Sequence, residues 1–197
     1  MSQFPKRPKT IQERIKRYER ELRNEQKKFG FIDDGAGKRY LLGPLYMLLG
    51  DTAGAIKSFR WFEKTFPDDI GDPAQYLCWT LALYRAGDLE AATKKLGQTM
   101  LSNLYLIPHL LGLEQPVLDI WHASNLEQKD FVAYIPAEIF ALWDEAALHW
   151  ANDAYHSPPL TQVRERYIEI YHQLKSEPVG PNRTQLVREA SALQRMS

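Results

Sequence analysis

Apolar residues recur three and four positions apart through almost the whole chain, and no run alternates polar positions with β-branched ones. The pattern predicts an all-α protein. A first helix is expected from Thr10, where Thr10-Ile-Gln-Glu13 has the form of a capping box, to Gly30. Along it Ile11, Ile15, Tyr18, Leu22 and Phe29 form one seam, interrupted at Glu25. So short a seam suits docking against the rest of the chain better than a long coiled coil. The following FIDDGAGK is rich in Asp and Gly and reads as a turn.

From Lys38 the pattern repeats. Aligning Gly50-Asp51 with Gly87-Asp88 gives a period of 37 residues, with three extra residues around Asp69-Ile70-Gly71 that lengthen the connection between copies. The first copy carries Leu42-Gly43, Tyr46, Gly50 at the bend, Ala55, Phe59 and a closing Pro67. The second keeps Tyr76, Trp79, Leu83, Gly87, Ala92 and Leu96, but has Thr80 where a small residue is usual and Leu104 where the proline belongs. Small residues let paired helices approach and large ones fill the gap between hairpins.

This pattern resembles the tetratricopeptide-repeat family over residues 38–104. The resemblance implies two helical hairpins in a short α-solenoid, with a partner held in the concave groove lined by the first helix of each hairpin. The matching positions are Tyr40, Pro44, Met47, Leu77, Leu81 and Tyr84, which are apolar and aromatic. Family members that grip a peptide's terminal carboxylate use Lys, Asn and Arg on this face, a pattern this chain lacks. An open groove and one filled by the chain's own helices remain alternatives. Farther on, Asn103, Pro108, Leu110, Leu111 and Gly112, with Trp143 and Trp150, are similar to the end of a wider group of repeat proteins that includes the animal suppressor-of-tumorigenicity family. That likeness implies no chemistry.

The rest of the chain also reads as helices. Ser124-Asn-Leu-Glu127 has the capping-box form and predicts a short helix to about Tyr134. Pro136 fits the first turn of another, on which Ile139, Phe140, Trp143, Ala146, Ala147 and Trp150 make one broad apolar face. Residues 159–175 form an amphipathic helix, and EPVGPN precedes a terminal helix placed where fraying is expected. An array of hairpins exposes an apolar face at its end, so these helices are expected to cap it. Four segments result: a helical arm at 1–30, two hairpins at 38–104, a capping region at 105–176, and a linker with a terminal helix at 177–197.

Charge changes the picture of the arm. The chain's formal net charge of zero is a cancellation, since residues 1–30 carry ten Lys or Arg against four Glu while residues 31–155 carry nine against seventeen Asp or Glu. The arm is therefore expected to contact an anionic surface or to fold back on its own acidic body, with Arg17, Arg20 and Arg23 the candidate contacts. With 44% hydrophobic residues the chain can bury a substantial core. No continuous apolar run approaches the ~20 residues of a membrane span, and MSQFPKRPKT lacks the apolar core of a secretory signal, which points to the cytoplasm. The single cysteine, Cys78, lies in the apolar run YLCWTLALY and reads as a buried thiol.

Candidate chemistry is sparse. Glu145 and His149 share a helix face, but neither an H-E-x-x-H nor a clustered Cys/His spacing is present. No phosphate loop, dinucleotide fingerprint or nucleophile elbow occurs, and DDGAGKR at 33–39 is the nearest approach to an anion cradle. No cofactor, metal or catalytic residue is therefore expected. The functional expectation is an adaptor that holds a protein partner. The alternatives are a dedicated chaperone, antitoxin or immunity protein for one cognate protein, and nucleic-acid binding through the arm. Two repeats are fewer than the three or so of a self-sufficient array, so either the flanking helices or a second subunit in a homodimer completes the stack.

Overall fold

Two helical hairpins close on the same turn, 37 residues apart. The first pairs α2 (Lys38–Leu48) with α3 (Thr52–Thr65), the second α4 (Pro73–Arg85) with α5 (Leu89–Ser102). Gly50 and Gly87 both take the left-handed conformation, with φ of 80° and 79°, that a side chain would strain. Gly50 N–H then donates to Met47 O and Gly87 N–H to Tyr84 O, while the next amides, of Asp51 and Asp88, return to Tyr46 O and Leu83 O. Each Asp finally turns its carboxylate onto the first turn of the second helix, Asp51 accepting from Gly54 N and Asp88 from Ala91 N. Every partner in one hairpin has its counterpart 37 residues on.

The structure, a computed structural model, describes residues 4–196; residues 1–3 of the expected arm and residue 197 lie outside the described residues. The described residues form helices and turns with no strand, the all-α helical-repeat architecture. Helix α4 packs against both α2 and α3, which stacks the hairpins, and α1 (Pro8–Phe29) packs against α2 on the other side. The core runs between these layers through Leu45, Phe59, Leu77, Leu81 and Leu96, each fully buried. At roughly 1.5–3 kcal/mol for each such side chain, this stack supplies most of the driving force for the hairpins.

Three helix boundaries differ from the sequence reading, for local reasons. Helix α1 begins at Pro8, not Thr10, because Pro8 fits the first turn, where its missing N–H needs no partner; the Thr10 capping box does not form. The Ser124–Glu127 box forms by half. Glu127 Oε2 accepts from Ala123 N at 2.7 Å, Ser124 caps nothing, and the chain makes two 3₁₀ turns, Asn125–Glu127 and Lys129–Tyr134, in place of an α-helix. The apolar face expected on one helix is divided between α7 (Ala137–Phe140) and α8 (Glu145–Tyr155), because Asp144 accepts from Ala147 N and so starts a new helix.

The C-terminal region caps the stack. After the short α6 (Leu106–Leu110), the chain crosses back until α7 touches α2, then returns so that α8 lies on α5. Helices α9 (Pro158–Leu174) and α10 (Pro181–Met196) complete the layer, and α10 also packs on α5. Helix α10 is held to α9 by a two-bond pair from Arg166 to Glu189, at 2.7 and 2.9 Å, and by Gln194 Nε2 donating to Tyr167 Oη. Among the described residues no helix is long and apolar enough to cross a membrane.

Candidate functional site

Helix α2 presents opposite faces to two different cavities, and of the six concave positions expected to form one binding surface only Tyr40 and Pro44 line either of them. Tyr40 and Pro44 face a small cavity that also contains Phe4, Pro136 and Ile139. Leu42 and Tyr46, two positions along and on the other side, face a groove of about 670 Å³ between α1 and α3.

The concave groove is filled by the chain's own residues. Met47 (1% exposed), Leu77 and Leu81 (both 0%) belong to the core, and Pro44 is buried. Tyr84 lies under Trp150 of α8, the rings stacked 4.8 Å apart. The α7–α8 crossover covers this end further, Arg85 donating to Leu142 O. Tyr40 is half-buried, and its hydroxyl is placed between Arg39 Nη2, which donates to it, and the Asp69 carboxylate that accepts from it. Burial and that carboxylate push the Tyr40 phenol up to about 12. Asp69 also accepts from Arg39 Nε and Gly71 N, so the longer connection between hairpins is pinned to the start of α2.

The arm is arranged differently. Its seam residues Ile11, Ile15 and Leu22 are buried, whereas Phe29, the last of the five, stays 55% exposed. Three of its four carboxylates point to the body, Glu13 being exposed: Glu19 accepts from Tyr46 Oη at 2.7 Å, and Glu21 and Glu25 pair with Lys38 at 3.3 and 3.5 Å. With acids turned inward, the cations are left outside, and every described Lys and Arg of the arm except Arg14 is exposed. Arg17 lies 3.9 Å from Glu21 and over the Tyr18 ring, Arg20 faces solvent, and Arg23 reaches the groove between α1 and α3.

In that groove Arg23 meets Lys57 and Lys64 of α3. The walls between the three cations are Ile32, Leu42 and Trp61, and none of the three takes part in an ion pair among the described residues. The sequence reading left out Lys57, Trp61 and Lys64, although their spacing of four and three puts them in one stripe along α3.

The other chemical candidates resolve plainly. The 33–39 turn is no open anion cradle, because the buried Asp34 carboxylate already accepts from Lys38 N at 2.9 Å and Arg39 N at 2.7 Å. His149 pairs with Asp153 at 3.5 Å and not with Glu145, and both partners are exposed. No group of three or more His, Cys, Asp or Glu is placed to hold a metal among the described residues. Cys78 is fully buried, and burial pushes its thiol well above the ordinary range. Comparison with family models, curated proteins and solved structures gives no match, so these side chains carry the functional reading by themselves.

Proposed function

We propose that the chain is a tetratricopeptide-like protein-binding scaffold that holds an acidic, amphipathic segment of a partner protein in the groove between α1 and α3. The observation that carries this reading is the groove's composition: an apolar wall of Ile32, Leu42 and Trp61 with Arg23, Lys57 and Lys64 around it, against one carboxylate, Glu19, which is bonded to Tyr46 Oη. A helix with one apolar face and flanking carboxylates matches such a surface, the apolar contacts supplying affinity and the charges supplying orientation and speed of encounter. Arg17 and Arg20, exposed on the same helix as Arg23, extend the positive field beyond the groove. Of the concave positions expected to grip a partner, Met47, Leu77 and Leu81 are core, which favours the opposite side of α2 for the partner. A cognate-protein chaperone or antitoxin is one form this scaffold takes.

Nucleic acid is the competing ligand for the basic arm, and the apolar wall around Trp61 favours protein over it. The test compares the tagged protein with Trp61→Ala and with the triple reversal Arg23→Glu, Lys57→Glu, Lys64→Glu, each purified from its own cells at low and high salt. One stoichiometric protein is expected to stay with the wild type at high salt, to be lost from Trp61→Ala and to associate more slowly with the reversal. Recovery of nucleic acid that leaves with salt and ignores Trp61→Ala rejects the groove.

A further inference from the structure

The beginnings of α2 and α4 leave a cavity of about 220 Å³ between them, on the side of α2 away from the basic groove. Gln75, on α4, lines it. This residue is 1% exposed, and neither its Nε2 nor its Oε1 has a hydrogen-bond partner in the protein. A buried amide with both ends unpaired is disfavoured unless something bonds to it. Across the cavity stands Pro44, inside α2 and without an N–H, so the carbonyl of Tyr40 lacks the helical donor normally found four residues on.

The start of α4 brings the Asp72 carboxylate to the edge of this cavity. Asp72 accepts from Ala74 N at 2.9 Å and Gln75 N at 3.2 Å, and Asp34 caps α2. Phe4, Pro136 and Ile139 make the remaining wall apolar. The cavity is thus bordered by one amide donor, two carbonyl-type acceptors, the capped Asp72 carboxylate and an apolar wall, a set that suits a peptide backbone carrying an apolar side chain. A carboxylate end group entering here would lose its hydration beside the like charge of Asp72 and with no cation to meet.

We propose that this cavity is a second binding site, taking an uncharged, extended segment of a partner polypeptide that inserts one apolar side chain and pairs its backbone amides with Gln75 and the Tyr40 carbonyl. The volume suits a single residue with its two flanking amides. Phe4 forms part of the cavity's apolar wall, so a bound segment packs against it. The site is independent of the α1–α3 groove, from which it is separated by the width of α2.

The probe is N-acetyl-phenylalaninamide, one apolar residue between two amides, titrated into the ¹⁵N-labelled full chain. The Gln75 side-chain amide pair and the backbone N–H groups of Gly37, Ala74 and Gln75 are expected to shift together and saturate. Gln75→Leu should weaken binding about tenfold while leaving the rest of the spectrum in place. Phe4→Ala should weaken it, Trp61→Ala should leave it unchanged, and N-acetyl-phenylalanine, with its free carboxylate, should bind more weakly. Absence of shifts at these four groups up to the solubility of the probe overturns the proposal. So does unaltered affinity in Gln75→Leu or, should that variant not fold, unaltered affinity in Phe4→Ala. Concentration-dependent shifts at the same groups without any probe would assign the cavity to a second copy of the chain and overturn it equally.

Discussion

The two hairpins share a turn and a period but solve their closest helix approach in different ways. In the first, Gly43 of α2 lies under the fully buried ring of Phe59, and a Cβ built on Gly43 would come 2.0 Å from Phe59 Cε1. In the second, the equivalent positions hold Thr80 and Leu96. There the Thr80 hydroxyl meets that of Thr99 at 2.9 Å, and both hydroxyls bond back to carbonyls four residues earlier, of Tyr76 and Lys95. A glycine with a large ring has become a larger residue with a smaller partner. What the repeat preserves is the space between its helices, not the identity of either residue.

The largest expected effect breaks that exchange. Gly43→Thr should cost about 3 kcal/mol or more, because Phe59 is held on every side and cannot move away. Phe59→Leu alone should cost about 1–2 kcal/mol through the cavity it leaves. Together the two changes recreate the second hairpin's solution in the first, and urea unfolding should show the double variant losing about 1–3 kcal/mol less than the sum of the singles. Full recovery is not expected, since Phe59 also stacks on Trp79 of α4 at 5.2 Å and 7°. A double variant no better than the sum would mean that the two hairpins differ for reasons other than shared volume.

A second difference lies on α5, where Lys95 occupies the position of Ser58 in the first hairpin. Lys95 is 8% exposed, with Nζ 3.7 Å from the centre of the Trp79 ring and 5.1 Å from that of Tyr76. Burial lowers its ammonium to about 8, against the opposing pull of Glu63. Between about pH 8 and 10 the unfolded chain therefore holds a proton that the folded chain has released, and stability should rise with pH there. Above that window the trend reverses, because the half-buried phenols of Tyr40 and Tyr76 titrate later in the folded state than in the unfolded one. Lys95→Met should flatten the rise and stabilise the protein at pH 7 by about 1–2 kcal/mol, part of the penalty being already offset by the contact with Trp79. A pH series of urea unfolding curves measures both, and an unchanged slope would remove Lys95 as the source.

These differences mark how far the sequence could be read. The helices, the 37-residue period and the bend at Gly50 and Gly87 were legible, because periodicity and left-handed glycines are local signals. Capping of the stack followed from the same logic, since an exposed apolar face on α5 needs a cover. Cover of the concave positions was not legible, because Pro44 meets Pro136 and Ile139 and Tyr84 meets Trp150 only where the C-terminal region crosses back over the hairpins. The arm was half legible: its excess of cations was plain, but which way its glutamates turn depends on the Tyr46 hydroxyl and Lys38. Lys57, Trp61 and Lys64 were within reach as a stripe of i, i+4 and i+7, but a basic stripe gains meaning only when α1 lies beside it.

The smallest expected effect compares the two caps that the repeat shares. Asp51→Ala and Asp88→Ala each remove one carboxylate acceptor from a helix start, and each should cost about 1 kcal/mol in global stability. Their local effects should differ. Helix α5 is covered by α8 and α10, whereas α3 borders the open groove, so loss of the Asp51 cap should loosen α3 more than loss of the Asp88 cap loosens α5. Amide hydrogen exchange would show this as a greater fall in protection over residues 54–58 in Asp51→Ala than over residues 91–95 in Asp88→Ala. Equal losses would mean that the capping layer contributes nothing to the local stability of α5, and that the covered and the open hairpin unfold as one unit.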